Sequence, residues 1–155
     1  GPLCGCGHRG CLEAHISGPA LAGRIERDVR SGTETLLAEG LNGHPTPEKL
    51  LSIWPKAVAS KDAYALELRD EVAGLISRCA AEAINCYDPD VLILAGYVNL
   101  LFADEFARAI RKQMEAAVYD NAVRQIDIRA AKAGEDALIN GICAAVLQDL
   151  LEVTW

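Results

Sequence analysis

"VLILAG", residues 91–96, contains no polar side chain. A strand with one wet face would alternate apolar and polar residues. This one is apolar at odd and even positions alike and rich in β-branched residues. It therefore predicts a strand buried on both faces, in a parallel or mixed sheet covered by helices. The fold class that follows is α/β. Upstream, Leu68, Val72, Leu75, Ile76, Cys79, Ala83 and Cys86 mark a helical stripe over residues 62–86. Asp88-Pro89-Asp90 stops that helix, because the residue before a proline is pushed out of helical geometry. Downstream, Phe102, Phe106, Ile110, Met114 and Val118 recur every four residues and predict a helix over 99–118. "QIDIRAA" (125–131) sets Ile126 and Ile128 against Asp127 and Arg129, a half-buried strand that Gly134 breaks. A last helix, 135–152, carries Ile139, Ile142, Cys143, Val146, Leu147 and Leu150. Strand, helix, strand predicts a right-handed βαβ crossover. Two strands alone make a poor sheet, so further strands are expected from upstream chain or from a partner.

The first half reads as helices only. Residues 12–30 place Leu12, Ile16, Ala20, Leu21, Ile25 and Val29 near helical spacing, and Ser31-Gly32 ends them. A short helix spans Thr33 to Leu41. Thr46-Pro47-Glu48 starts another, with Thr46 as cap and Pro47 at a position whose missing N–H is not needed. It runs to about Trp54, where Pro55 limits it, and a short helix follows to Ser60. The chain thus divides, within one domain, into a loop at 1–15, a helical region at 16–88 and a βαβα unit at 89–152.

Composition narrows the function classes. The 155 residues are 51% apolar, enough for a core without disulfides or metal. Fifteen basic residues against 22 acidic leave a net charge of −7, which a phosphate backbone repels. Direct nucleic-acid binding by this chain is not expected. No apolar run approaches the roughly 18 residues that a membrane span requires, and no charged-then-apolar leader is present. Cys79, Cys86 and Cys143 fall in apolar stripes and read as small buried hydrophobes. The expected compartment is the reducing cytoplasm.

The remaining three cysteines cluster. "GPLCGCGHRGCLEAH" (1–15) holds Cys4, Cys6 and Cys11 as C-x-C-x4-C, followed by Glu13 and His15. Three thiolates at this spacing converge only if the backbone curls tightly, and Gly5, Gly7 and Gly10 permit that. One reading is a structural zinc loop, for which three thiolates are one ligand short. Another is a glycine-rich segment with incidental thiols. A Cys4–Cys6 disulfide would close a small, strained ring. His8 and His15 are the candidates for a fourth ligand in this chain, and an ordinary exposed histidine is the competing role of each. Glu13 by itself reads as a first-turn glutamate favoured by the helix dipole.

"GPLCGCGHRGCLEAHISGPAL" resembles the zinc signature of the ROK family, which groups sugar-responsive transcriptional repressors with sugar kinases. "DPDVLILAGYV" is similar to that family's later strand and glycine turn. "AGEDALINGICAAVLQDLL" is similar to its C-terminal helix. The resemblance runs from Gly1 to Leu151. It implies part of the second lobe of an actin-like ATPase fold, helix-rich and with an incomplete sheet. It also implies structural zinc on Cys4, Cys6 and Cys11, with His15 as a possible fourth ligand, and Glu13 reaching sugar hydroxyls. The family's own zinc histidine, phosphate loop and catalytic aspartate stand upstream of its cysteines, so the resemblance implies an N-terminally truncated polypeptide. His15 stands where the family often carries an aromatic residue.

Three functions follow as expectations. Kinases of the family usually show two or three glycines after the later strand; here the turn is Ala95-Gly96-Tyr97. This degenerate nucleotide turn favours the repressor branch: a sugar- or sugar-phosphate-responsive lobe that controls a DNA-binding module elsewhere. The alternative is a fragment of an ATP-dependent sugar kinase. Phosphoryl transfer needs a base and magnesium-bound phosphates, and Asp88, Asp90 and Asp104 read instead as cap and turn residues. The third is a helical interaction domain. Uncovered apolar faces make a homo-oligomer the expected assembly.

Overall fold

Seen in a computed structural model, which describes residues 1–43, 46–119, 126–131 and 136–151, the chain is a helical layer joined to a small parallel sheet. Its elements are α1 (Glu13–Ile16), α2 (Gly18–Arg30), a 3-10 helix (Leu36–Leu41), α3 (Pro47–Leu51), α4 (Trp54–Ala59), α5 (Ala63–Tyr87), β1 (Val91–Leu94), α6 (Tyr97–Leu101), α7 (Ala103–Ala117), β2 (Asp127–Ala130) and α8 (Ala137–Leu151). The helix-rich α/β class is as expected.

β1 and β2 pair in parallel, Val91 with Asp127 through Leu94 with Ala130. The Asp127 amide donates to the Asp90 carbonyl at 3.0 Å, and the Ala131 amide to the Leu94 carbonyl at 2.8 Å. The expectation for β1 needs correction: Val91 is 39% and Ile93 62% exposed, while Leu94 and Ile128 are buried. The helices cover one face of the sheet and, among the described residues, nothing covers the other. Gly134 and Gln125 lie outside the described residues.

Several helices are shorter than their periodicity predicts. The expected helix over 12–30 breaks at Ser17, which is extended (φ −66°, ψ 154°) and whose hydroxyl accepts from the Ala20 amide at 3.4 Å. Ser-Gly-Pro is itself a helix start, a signal masked by the continuous apolar spacing. Leu36–Leu41 winds as a 3-10 helix, and α3 stops at Leu51, with Pro55 in the first turn of α4. The helix expected over 99–118 is two, parted at Phe102 (φ −137°, ψ 40°). All five of its stripe residues, Phe102 to Val118, are nevertheless buried.

α5 is the longest element and packs along α7. Its buried face runs Leu68, Val72, Ile76, Ala80 and Ile84, so the expected stripe drifts off the core after Ile76. Ala80, Ala81 and Ile84 take the buried line, while Cys79 is half-buried and Cys86 exposed. Cys143 is exposed too, because Ile139, Ile142, Val146, Leu147 and Leu150 of α8 are each more than half exposed. Reading these cysteines as buried hydrophobes is corrected for Cys86 and Cys143.

Asp62 organises the start of α5. Its carboxylate accepts from the Ala65 amide at 2.8 Å, the Leu36 amide at 2.7 Å and the Thr35 hydroxyl at 3.0 Å. Desolvation pushes its proton affinity up, but these donors together outweigh it and hold the carboxyl below the usual aspartate range. At the far end Asp88 takes left-handed backbone (φ 46°, ψ 54°), and its amide closes the helix on the Ile84 carbonyl.

Trp54 is wholly buried and donates from its indole nitrogen to the Ala65 carbonyl at 2.9 Å. Its ring meets Phe102 edge-on at 4.8 Å. Trp54→Ala is expected to cost about 3–5 kcal/mol. Trp54→Phe keeps a ring but not the donor and is expected to cost less, about 1–3 kcal/mol. Urea denaturation measures both, and equal losses would show that the ring contact contributes nothing. Asp62→Ala removes a helix cap and should cost about 1–2 kcal/mol at neutral pH. Because the folded carboxyl binds its proton more weakly than the unfolded one, its stabilisation is present above the ordinary aspartate range. It is lost as pH falls through the folded value. The parent should therefore lose stability more steeply than the variant below about pH 4.

Candidate metal centre and adjoining cleft

Residues 1–12 form a loop pinned at its base. Leu3 and Arg9 make an antiparallel bridge, and the Gly10 amide donates to the Pro2 carbonyl at 3.0 Å. Inside that base, the Gly7 amide donates to the Cys4 carbonyl at 2.9 Å and the Cys4 amide to the His8 carbonyl at 2.8 Å. The turn puts Cys6 at its tip. Gly7 (φ +88°) and Gly10 (φ +75°) adopt backbone that side-chain-bearing residues rarely take.

The curl brings the sulfurs together. Among the described residues, Cys4, Cys6 and Cys11 form a group whose ligand atoms all lie within 4.8 Å of one another. The Cys6 and Cys11 Sγ atoms are 3.6 Å apart. A tetrahedral zinc with bonds of about 2.3 Å sets its sulfurs roughly 3.8 Å apart, so the thiols fit the ion. The electrostatics agree. The backbone of His8, then its ring and the thiols of Cys4 and Cys11, hold the Cys6 thiol down to about 7. Hydrogen bonds to Cys6 and Cys4 push Cys11 up to about 11. Three adjacent thiols cannot all hold negative charge without a cation, and a divalent metal would supply it as the protons leave.

His8 and His15 part company here. The His8 Nδ1 lies 3.6 Å from the Cys6 Sγ, while neither histidine belongs to the mutually close ligand group. His15, on α1, acts electrostatically on Glu71. The Glu71 carboxyl sits below its usual range through its bond to Arg24, opposed by desolvation and assisted by the Arg24 and His15 charges. Arg24 grips Glu71 through two 2.8 Å bonds, clamping α2 onto α5. Tyr64 donates to Asp28 on the same face at 2.6 Å.

Glu13 opens α1 directly after the thiol loop and is exposed. It borders a cleft of about 760 Å³ that Cys4, Cys6, Cys11, Ser17 and Arg27 also line. That size suits a small-molecule ligand, for which pockets of roughly 300–1,000 Å³ are usual. Arg27 was not legible as a site residue, since from sequence it is one more charge on the outer face of a helix. The second expected site lies elsewhere. Gly96 (φ 86°, ψ 152°) leads from β1 into α6 in backbone that is essentially glycine-only. The Ala95 carbonyl accepts from Asn99 Nδ2 at 2.7 Å, and the Tyr97 hydroxyl donates to the Glu48 carbonyl at 2.8 Å, tying the turn to α3.

The profile of the ROK family matches residues 1–149. The chain belongs to the ROK family. This ROK chain is 28% identical over 150 residues to a glucokinase of Thermotoga maritima, covering 94% of itself and 45% of that protein. It thus spans about half the length of that curated relative. A ROK family glucokinase from Streptomyces griseus, solved in complex with glucose and AMPPNP, superposes with a TM-score of 0.73 at 24% identity. The match covers 94% of this chain and 47% of that one. A ROK family transcriptional regulator, a homologue of the E. coli MLC protein, superposes at 0.66 with 19% identity over 84% of this chain and 31% of that one. The fold is therefore that of the actin-like ROK proteins, shared by kinases and a regulator alike.

If the thiol loop is a zinc site, the purified ROK chain should carry about one zinc per molecule by elemental analysis. Cys4→Ser and Cys6→Ser should each weaken zinc at least about tenfold in chelator competition, the effect that loss of even an outer-shell partner can have. His15→Ala is the matched comparison, and unchanged affinity there removes His15 from the shell.

Proposed function

We propose that this chain is the zinc-braced, sugar-binding effector lobe of a ROK-family transcriptional regulator, governing a DNA-binding module outside these 155 residues. The observation that carries the reading is the meeting of the thiol cluster and Glu13 on one cleft. A carboxylate accepts two hydroxyl hydrogen bonds, and a loop braced by metal holds it rigid, so less ordering is lost on binding. Cys4, Cys6 and Cys11 are the proposed ligands and Glu13 the proposed sugar contact. Bound sugar would shift the population between DNA-competent and incompetent arrangements in proportion to its difference in affinity for the two. The Ala95-Gly96-Tyr97 turn supports the regulator over the kinase, because Tyr97 places an aromatic ring where kinases of the family carry small residues.

The second reading is a piece of an ATP-dependent sugar kinase. It is favoured by the relatives, since the T. maritima protein is named a glucokinase and the S. griseus structure holds glucose with AMPPNP. A homo-oligomer is part of both readings, and the exposed apolar residues of β1 and α8 support it. Calorimetry with glucose, N-acetylglucosamine and their 6-phosphates tests the sugar site. Glu13→Gln should weaken the sugar that binds by about 10- to 100-fold, the worth of a charge-assisted hydrogen bond. Equal binding by parent and variant would exclude Glu13 as the contact. Sugar-dependent ATP turnover by the chain would favour the kinase, and none is expected.

A further inference from the structure

We propose that Cys6 and Cys11 are an oxidisable dithiol, which a hydroperoxide converts to a disulfide, so that the loop is a redox-sensitive metal latch. The metal-release half rests on the zinc reading above; the dithiol half stands on the loop's geometry alone. Three features carry it. The two sulfurs are 3.6 Å apart before any rearrangement and need to close by only about 1.5 Å to reach bonding distance. The base of the loop is held by the Leu3–Arg9 bridge and the Gly10–Pro2 hydrogen bond, so the sulfurs cannot drift apart as the tip moves. Gly7 (φ +88°) and Gly10 (φ +75°) lie between them, and glycine backbone can readjust its dihedrals as the turn tightens.

Access selects the order of events. Cys6 is exposed at the tip and Cys11 is half-buried, so Cys6 meets the oxidant first. Its sulfur attacks the peroxide oxygen, a sulfur–oxygen bond forms and the O–O bond breaks. The departing alkoxide leaves as alcohol with the proton of the Cys6 thiol. The Cys11 sulfur then attacks the Cys6 sulfur. The S–S bond forms, the S–O bond breaks, and hydroxide leaves as water with the Cys11 proton. In the metal-free chain two thiols and one hydroperoxide become one disulfide, one alcohol and one water; in the zinc-loaded chain the thiolates carry no proton, and two protons from solvent complete the same products as zinc leaves. Sulfur gives up two electrons and the peroxide takes them. Cys4 stays a thiol, because a ring with Cys6 would enclose one residue only. With two of its three sulfurs withdrawn the loop can no longer hold zinc. A dithiol reductant reverses the change by exchange.

The test treats zinc-loaded and zinc-stripped chain, in a Cys86→Ser/Cys143→Ser background that removes the exposed outlying thiols, with hydrogen peroxide. Peptide mass mapping and a zinc-binding chromophore follow the products. The expected result is a loss of about 2 Da, located to a Cys6–Cys11 link, with zinc released in step. Cys4→Ser should keep the link, while Cys6→Ser and Cys11→Ser should each abolish it. A link through Cys4, or sulfinic acid at Cys6 with no link, overturns the proposal in either form of the chain. Should the chain hold no zinc as purified, the Cys6–Cys11 link in that form still decides the dithiol, separately from the metal reading.

Discussion

Trp54 fixes how the helices of the first half meet the βαβ unit, alongside the packing of α5 on α7. Its indole is wholly buried, its N–H is spent on the Ala65 carbonyl at the start of α5, and its ring meets the edge of Phe102 between α6 and α7. A buried indole N–H without an acceptor would be costly, so the ring has one permitted orientation. That orientation sets α4 against α5, and through Phe102 it sets the βαβ unit against both. The chain breaks at Phe102 (φ −137°, ψ 40°), and Phe102, Phe106 and Ile110 are buried on either side of that break.

The candidate site depends on this frame at one remove. The thiol loop touches the core little, but α1 and α2 position Glu13 and Arg27 beside it. Ser17 interrupts the chain so that α2 leaves at an angle, and the Arg24–Glu71 clamp fastens α2 to α5. Glu13 is thereby presented on the same cleft as the sulfurs. The loop is locally determined by its own turns, the cleft by helix packing. Metal in the first would stiffen one wall of the second.

Legibility divided along the same line. The α/β class, the long α5 and the five-residue stripe Phe102–Val118 were readable because a periodic pattern survives small breaks. The convergence of Cys4, Cys6 and Cys11 was legible only as one of two readings, because glycine permits a tight curl without requiring it. Ser17 was obscured because apolar spacing runs straight across it. Cys86 was misplaced because a stripe drawn every three or four residues drifts around a long helix, and only the neighbour shows which line is buried. Arg27 carried no signal at all, since a surface charge becomes a site residue only by facing a cleft.

Local chemistry, then, determined by itself where most helices and strands lie, and that three thiols stand close enough in the chain to meet. Those outcomes depend on contacts a few residues apart, which sequence spacing encodes. The tertiary structure alone decided that one face of β1 and the stripe of α8 stay uncovered among the described residues, that Arg24 and Glu71 meet, and that Glu13 and Arg27 share a cleft. Those depend on which distant elements pack together, and a pattern of hydrophobicity says that a face wants cover without saying what provides it.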